Sequence, residues 1–301
     1  MSTVSKAPGL AGLYVRAVLP RRRSRGPVPA RTLSFRAPAP DAGQLRRYAE
    51  VCGFDPAADR LAPTYPHIVA FPLAMRLMTA GDFPFPVLGL VHLANRIDQL
   101  RRVAPAEALS YDVWIDQPRP HPKGRTFDVH ATASAAGTPV WREVSTYLSR
   151  GGGGGGGGSS GEGSGEGSGG APGGAEPPPE APDFEAPTLD EPWPLTPATG
   201  RRYAAASGDR NPIHLHPLTA RLFGFPRAIA HGMWTKAHAL ATLSTADLLP
   251  ETFTAEVTFR APALLPSTPR FRAARTGEGV AFELRSGERE HLRGVIAGVA
   301  D

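Results

Sequence analysis

A glycine-rich tract in the middle of the chain is the feature that most limits how this sequence can fold. Sixteen of the 34 glycines lie between positions 151 and 174, and the tract continues with proline and alanine to position 182. Such a composition buries too little apolar surface to offset the entropy of ordering it, so we predict a disordered linker over residues 151–182. A flexible coil of this length spans roughly 30 Å. The sequence therefore predicts two folded units, residues 1–150 and 183–301, on either side of the linker.

The overall composition narrows the class of protein. The 301 residues are 41% hydrophobic and 20% charged, which is typical of a globular protein. No apolar run reaches the roughly 18 residues that a membrane helix needs, and the arginines near the N-terminus precede no apolar segment of the signal-peptide type. The single cysteine, Cys52, excludes internal disulfides. We therefore expect a cytoplasmic protein without a membrane partner.

The charge of the chain favours anionic ligands. The net charge is +5, and a basic surface attracts anions such as phosphate-bearing molecules. The basic residues are scattered, apart from a cluster between Arg21 and Arg25, and aromatic residues do not alternate with them as they do in base-stacking surfaces. We therefore expect no nucleic-acid partner.

The two predicted units resemble each other. Tyr48–Phe54 (YAEVCGF) aligns with Tyr203–Asp209 (YAAASGD), and Tyr65–Met75 aligns with Phe225–Thr235. Between these two anchors the second unit is five residues longer, and the extra length falls in or near the polar segment that follows Asp209. This pattern predicts an internal repeat in which only the second unit carries a polar loop.

Periodicity predicts early helices followed by strands in each unit. Asp41 and Gln44 have the spacing of a capping box at the start of a helix, and apolar residues recur at helical spacing from about Ile229 to Leu243. Apolar and polar residues alternate from Phe253 to Ala261, as they do in a half-buried strand. Helices followed by several antiparallel strands indicate an α+β protein.

The polar loop SGDRNPIHLH holds the residues with the clearest chemical potential. Asp209 and His214 lie five positions apart, and Pro212 restricts the backbone between them. A carboxylate close to an imidazole orients the ring and raises its basicity. A water molecule held between the two groups would be activated for addition to an electrophile.

Gly232 provides a complementary feature at the start of the predicted helix. Glycine allows a substrate to approach the backbone closely. The free amides of a helix N-terminus carry partial positive charge and would stabilise an enolate oxygen. Together, the loop and the helix end suit chemistry next to a carbonyl group.

The same residues also fit two other roles. Asp209 and Asn211 are residue types that often cap turns without any catalytic function. Alternatively, His214, His216 and His231 have the composition of a metal site, although a third ligand is not fixed by the spacing.

These residues resemble the motif of the MaoC-like family, the (R)-specific enoyl-CoA hydratases. The family pattern is an aromatic residue, a short spacer, Ser-Gly-Asp-x-Asn-Pro-hydrophobic-His, and a small residue six positions later. Here it reads Tyr203, Ser207–His214 and Ala220, and Ile229–Met233 (IAHGM) matches as well. The whole chain is similar to the double-hot-dog 3-hydroxyacyl-thioester dehydratases of this group.

The resemblance implies a fold and an activity. The fold would be an α+β double hot-dog, in which the antiparallel sheet of each repeat wraps around a central helix and the N-terminal repeat lacks the catalytic dyad. The activity would be reversible hydration of trans-2-enoyl thioesters to (R)-3-hydroxyacyl thioesters of CoA or acyl carrier protein, in fatty-acid or related acyl metabolism. No metal or redox cofactor is implied.

The resemblance also implies the roles of the site residues. Asp209 and His214 would form the catalytic dyad, and the Gly232 amide would stabilise the oxyanion. Asn211, His231 and Arg260 would be substrate-binding residues, with Arg260 a candidate contact to phosphate.

Three questions stay open at the level of sequence. A non-catalytic acyl-thioester-binding or scaffold protein is the alternative from a different functional class. A dehydratase acting on a polyketide or steroid side-chain thioester would use the same chemistry on another acyl group. Because a double hot-dog reproduces the usual dimer within one chain, both a monomer and a homodimer fit the sequence.

Overall fold

The computed structural model describes residues 2–18, 26–150, 184 and 186–299. The predicted linker over 151–182 lies outside these residues, so the domain boundaries based on it stay predictions. The described residues contain six α-helices: α1 (Leu10–Val18), α2 (Ala42–Cys52), α3 (Tyr65–Met78), α4 (Thr199–Ser207), α5 (Pro217–Leu222) and α6 (Gly232–Thr245).

The same residues contain twelve strands. They are β1 (Ser2–Val4), β2 (Leu33–Arg36), β3 (Val91–Gln99), β4 (Ser110–Ile115), β5 (Arg119–His121), β6 (Gly124–Ala135), β7 (Thr138–Arg150), β8 (Leu189–Pro192), β9 (Phe253–Phe259), β10 (Arg270–Thr276), β11 (Gly279–Ser286) and β12 (Arg289–Ala297). The alternation predicted for Phe253 to Ala261 is thus confirmed as β9.

All of these strands join one sheet whose order reveals the repeat. Outward from the centre, the first half of the chain contributes β3, β7, β6, β4 and β2, and the second half contributes β9, β12, β11, β10 and β8 in the matching order. The two innermost strands, β3 and β9, pair antiparallel from Ala94 opposite Thr258 to Gln99 opposite Phe253. This arrangement is the predicted α+β double hot-dog.

Helices α2 and α4 confirm the first anchor of the repeat. Asp41 caps α2 by accepting a hydrogen bond from the Gln44 amide at 2.9 Å. Both helices end at a glycine in the left-handed region, Gly53 with φ 88° and Gly208 with φ 79°, a backbone conformation that glycine adopts without strain. The rings of Tyr48 and Tyr203 lie 6.3 Å apart where the helices meet.

The second pair of aligned segments, Tyr65–Met75 and Phe225–Thr235, has a different register in the structure from the one that the sequence indicated. Helix α3 begins at Tyr65, which the alignment pairs with Phe225, but α6 begins at Gly232 rather than near Ile229. Residues 225–231 do not join the helix, because Ile229 bridges to Leu264 and the Ala230 amide donates to the Ala263 carbonyl at 2.8 Å. The extra length of the second repeat is therefore greater than five residues.

A buried lysine joins the two repeats beneath the central strands. The Lys236 ammonium on α6 is fully buried and donates to the Asn95 carbonyl, the Asn95 side-chain oxygen and the Ala255 carbonyl at 3.0, 2.5 and 2.9 Å. Asn95 in turn donates to Glu143, which also pairs with His67 on α3 at 2.7 Å. Burial lowers the pKa of Lys236 to about 7, although nearby Glu143 opposes the shift.

The sequence also raised two points, about membrane-spanning helices and about the single cysteine. Among the described residues, the structure contains no helix that is long and apolar enough to cross a membrane. Cys52 is buried and has a free thiol.

Replacing Lys236 with methionine tests the importance of this buried network. The variant leaves several buried acceptors without a donor, and each such group costs about 1–3 kcal/mol. We therefore expect Lys236→Met to lower the free energy of unfolding in urea by about 2 kcal/mol or more. Lys123→Met is the matched control, because Lys123 is exposed and its loss should change stability little. Equal stability of the two variants would contradict the role of Lys236.

Candidate active site

The polar loop that follows α4 is shaped by its own side chains. The Asp209 amide donates to the Ser207 hydroxyl, the Asn211 amide donates to the Asp209 carboxylate at 3.1 Å, and the Ile213 amide donates to the Asn211 side-chain oxygen. A single 3₁₀ turn, Pro212–His214, ends the loop. Asp209 and Asn211 therefore do cap turns, as one interpretation of the sequence proposed. For Asp209, however, this is only part of its environment.

Asp209 lies next to two stacked imidazole rings. A carboxylate oxygen of Asp209 and one ring nitrogen from each of His214 and His231 lie within 4.8 Å of one another. The two rings stack with their centroids 3.7 Å apart, and both histidines are buried. The structure thus brings Asp209 and His214 together and adds His231 to them. We call these three residues the Asp209 cluster.

Hydrogen bonds to carbonyl oxygens fix the tautomers of both histidines. Nδ1 of His214 lies 2.9 Å from the Ile229 carbonyl oxygen. Because a carbonyl only accepts, Nδ1 carries the proton and Nε2 is left as a base. Nε2 of His231 donates to the Asp209 carbonyl oxygen at 3.1 Å, so His231 Nδ1 is an acceptor, and it has no hydrogen-bond partner among the described residues.

The electrostatics of the cluster favour a charged carboxylate and neutral imidazoles. Burial alone would raise the pKa of Asp209, but His231, His214 and Tyr14 outweigh it and hold that pKa below its ordinary value. Burial lowers the pKa of His214 despite the nearby carboxylate. Burial together with His214 lowers the pKa of His231 to about 3. Near neutral pH, the cluster therefore combines a charged carboxylate with two neutral imidazoles.

Tyr14 is a site residue that the sequence did not reveal. Its hydroxyl donates a short hydrogen bond to Oδ1 of Asp209 from helix α1, 195 residues away in the chain. Burial, followed by the charge of Asp209, raises the pKa of Tyr14 well above its ordinary value, so the hydroxyl remains a donor. Leu10 on the same helix lies where a side chain at Gly208 would have to go. Helix α1 thus packs directly over the polar loop.

Gly232 occupies the first position of α6 and follows the N-cap residue His231. An amide at this position has no partner within the helix and is available to an oxyanion. A Cβ atom at Gly232 would lie only 3.0–3.2 Å from the ring of Phe259. The ring of His92 stacks on Tyr147 at 4.6 Å and lies tilted against Phe259 at 4.8 Å. Residues of the first repeat thus form part of the wall beside Gly232.

Arg260 and His216, which the sequence suggested as a phosphate contact and a metal ligand, make contacts outside the Asp209 cluster. The Arg260 guanidinium, at the end of β9, forms an ion pair with Glu290 at 2.6 Å. His216 accepts a hydrogen bond from the Leu218 amide and caps α5. The histidine set proposed for a metal site therefore changes, because Asp209 takes the place of His216 in the cluster.

The fold and the cluster together define a double-hot-dog protein with an acid–imidazole site. The family model described as "MaoC like domain" matches residues 180–293. The 3-hydroxyacyl-thioester dehydratase X of Mycobacterium tuberculosis is 32% identical over 277 residues, which cover 90% of this chain and 91% of that protein. This chain therefore belongs to the MaoC-like dehydratase family and is a hydro-lyase.

Solved structures agree with this assignment. The crystal structure of HtdX from Mycobacterium tuberculosis is similar with a TM-score of 0.72 at 31% identity, covering 89% of this chain and 100% of that chain. A MaoC-like dehydratase from Phytophthora capsici has a TM-score of 0.68 at 20% identity, covering 91% of this chain and 97% of that chain. The latter similarity supports the fold alone.

Gly200 offers a test of how the site is positioned. A Cβ atom there would collide with the His214 carbonyl oxygen, so α4 and the 3₁₀ turn approach each other only because residue 200 is glycine. We expect Gly200→Ala to lower the free energy of unfolding by about 1–3 kcal/mol, as overpacking does. Gly12→Ala on α1 is the control, because nothing lies within 4 Å of that position. Unfolding in urea measures both, and an unchanged stability of Gly200→Ala would contradict the packing described.

Proposed function

We propose that this protein catalyses the reversible hydration of trans-2-enoyl thioesters to (R)-3-hydroxyacyl thioesters. The observation that carries the proposal is the pairing of a charged Asp209 with a neutral, buried His214 close to the N-terminus of α6. The 32% identical relative is a 3-hydroxyacyl-thioester dehydratase, which supports the same reaction class here.

In the proposed mechanism, water binds between Asp209 and His214. The base formed by the pair draws a proton from the water as its oxygen bonds to C3 of the enoyl group. The electrons of the double bond move towards the thioester carbonyl, and the Gly232 amide stabilises the resulting enolate oxygen. Delivery of a proton to C2 on the same face completes the syn addition. Because the two groups are coupled, we treat their protons as belonging to the pair.

Other residues would support this pair. His231 stacks on His214, and its low pKa keeps it uncharged, so it would hold the His214 ring in place without competing for the proton. Asn211 would keep the loop closed through its bond to the Ile213 amide. A contact between Arg260 and a carrier phosphate would require its ion pair with Glu290 to open.

We propose that the two repeats have different roles. We assign residues 1–150 to an N-terminal repeat without a dyad, residues 151–182 to the linker, and residues 183–301 to the catalytic repeat. The N-terminal repeat would still contribute to the reaction, since Tyr14 contacts Asp209. The basic chain suits anionic thioester carriers, either CoA or acyl carrier protein. A cytoplasmic location and a homodimeric state remain predictions.

Removal of either member of the dyad tests the proposal directly. We expect Asp209→Ala and His214→Ala to lower kcat for hydration of crotonyl-CoA by on the order of 10²-fold or more, because each removes a proton-transfer group. His216→Ala is the matched control, since His216 caps α5 and lies outside the Asp209 cluster. A folded Asp209→Ala protein with full activity would overturn the dyad.

The same assay separates the dyad from the two alternatives. The Asp209 cluster has the composition of a metal site, and metal catalysis predicts that chelation abolishes activity and that added metal restores it. Direct acid–base catalysis predicts no effect of chelation. A non-catalytic binding protein predicts that acyl-CoA binds without turnover in the wild-type protein.

Tyr14→Phe tests how the first repeat tunes the active site. The Tyr14 hydroxyl stabilises the charged form of Asp209 and lowers its pKa, so its removal should raise that pKa. We therefore expect the acid limb of the pH profile of kcat/KM to move to higher pH, because Asp209 takes up a proton earlier as the pH falls. The profile is measured with crotonyl-CoA.

Val15→Ala is the control for this prediction, because Val15 lies on the same helix and is 61% exposed. It should leave the pH profile unchanged. If Tyr14 serves only to dock α1, Tyr14→Phe will alter activity equally at all pH values and the limb will not move. That result would contradict the proposed role.

A further inference from the structure

A cavity lies at the opposite end of the central strands from the Asp209 cluster. It has a volume of about 230 Å³. Residues from the loop after α2, from the segment after β3 and from the segment before β9 line it. The wall therefore combines both repeats, as the wall of the Asp209 cluster does.

The antiparallel pairing of β3 and β9 relates this cavity to the active site. At one end of the pairing, His92 of β3 contacts Phe259 of β9 beside Gly232. At the other end, Gln99 of β3 and Phe253 of β9 are paired with each other and both line the cavity. The two ends are seven residues apart along β3, roughly 23 Å.

The loops at the two ends of the β3–β9 pairing also occupy corresponding positions in the two repeats. Helix α2 ends at Gly53 and leads into the cavity, just as α4 ends at Gly208 and leads into the Asp209 cluster. Phe54, which lines the cavity, follows Gly53 at the place where Asp209 follows Gly208. The cavity therefore occupies the position in the first repeat that the Asp209 cluster occupies in the second. Its lining contains no counterpart of Asp209, His214 or His231.

The lining of the cavity has an apolar part and a basic part. Tyr48, Tyr65 and Phe253 contribute buried aromatic rings. Three arginines, Arg46, Arg60 and Arg102, also line it, against two acidic residues, Asp55 and Glu251. Arg102 pairs with Glu251 at 3.5 Å, and Arg60 donates to Ser244 at 3.0 Å. Arg46 is exposed and has no ion-pair partner within the part of the chain that the structure describes.

We propose that this cavity is a second, non-catalytic binding site for an amphipathic anion, namely a medium-chain fatty acid. The apolar tail would pack among the aromatic rings, and the carboxylate would meet Arg46 at the mouth. An empty apolar cavity lowers stability, and a bound tail would remove that penalty. Because Phe54 stands where the other repeat has Asp209, the site has no counterpart of the dyad carboxylate.

Calorimetric titration with decanoate tests this proposal. The wild-type protein is saturated with butyryl-CoA first, so that the proposed active site is occupied, and decanoate should still bind. Arg46→Glu should weaken that binding at least about tenfold. Arg47→Glu is the matched control, because Arg47 is the next residue of α2, is also exposed and does not line the cavity. It should bind decanoate like the wild type.

Two further variants keep this result separate from the proposed function. Ala49→Trp fills the cavity from α2 and should abolish decanoate binding, whereas Asp209→Ala should bind decanoate normally. Crotonyl-CoA hydration should be unchanged in Arg46→Glu. Equal binding by Arg46→Glu and Arg47→Glu, or no binding once butyryl-CoA is bound, would overturn the second site and leave the proposed hydratase activity standing.

Discussion

The pairing of β3 with β9 is the interaction on which the rest of the structure depends. Six residue pairs join these strands, from Ala94 opposite Thr258 to Gln99 opposite Phe253. They make one continuous sheet from two five-strand sets of matching order, and Lys236 ties α6 to the backbone of both strands. Because the pairing is antiparallel, it has two related ends. The Asp209 cluster lies near one end, and the cavity proposed to bind a fatty acid lies at the other.

The charge states in the Asp209 cluster follow from burial. Neighbouring groups outweigh the effect of burial on the pKa of Asp209 but not on the pKa values of the two histidines. The carboxylate keeps its charge because the Tyr14 hydroxyl and the Asn211 amide donate hydrogen bonds to it. Burial keeps His214 and His231 neutral although the charge of Asp209 opposes that shift. The second repeat thus depends on the first repeat for one of the donors that stabilise the Asp209 carboxylate.

The sequence predicted local features of this protein better than it predicted contacts between distant residues. Asp209, Pro212 and His214 are close in the chain, so the shape of their loop could be derived from turn chemistry, and the caps at Asp41 and Gly53 could be predicted in the same way. The family resemblance supplied the fold, which the sheet order and the 32% identical relative confirm.

Long-range contacts and one register could not be derived in this way. Tyr14 reaches Asp209 across 195 residues, and nothing in the helical pattern of α1 marks it. The aligned motifs placed Tyr65 opposite Phe225, but tertiary pairing with the segment at Ala263 holds residues before Gly232 out of the helix. Lys236 sits on a helix whose apolar spacing gave no sign that its ammonium would be buried. The contacts of Tyr14 and Lys236 depend on packing between the two repeats, whereas the pairing of Ala230 with Ala263 lies within the second repeat.

We propose that one thioester site per chain lies between the Asp209–His214 pair and the Gly232 amide. A crystal structure with butyryl-CoA, which is saturated and cannot be hydrated, tests it most directly. We predict that the thioester oxygen lies about 3 Å from the Gly232 nitrogen, with C3 facing the gap between the two dyad side chains. An acyl group bound elsewhere, with the Gly232 amide away from the thioester, would contradict the account.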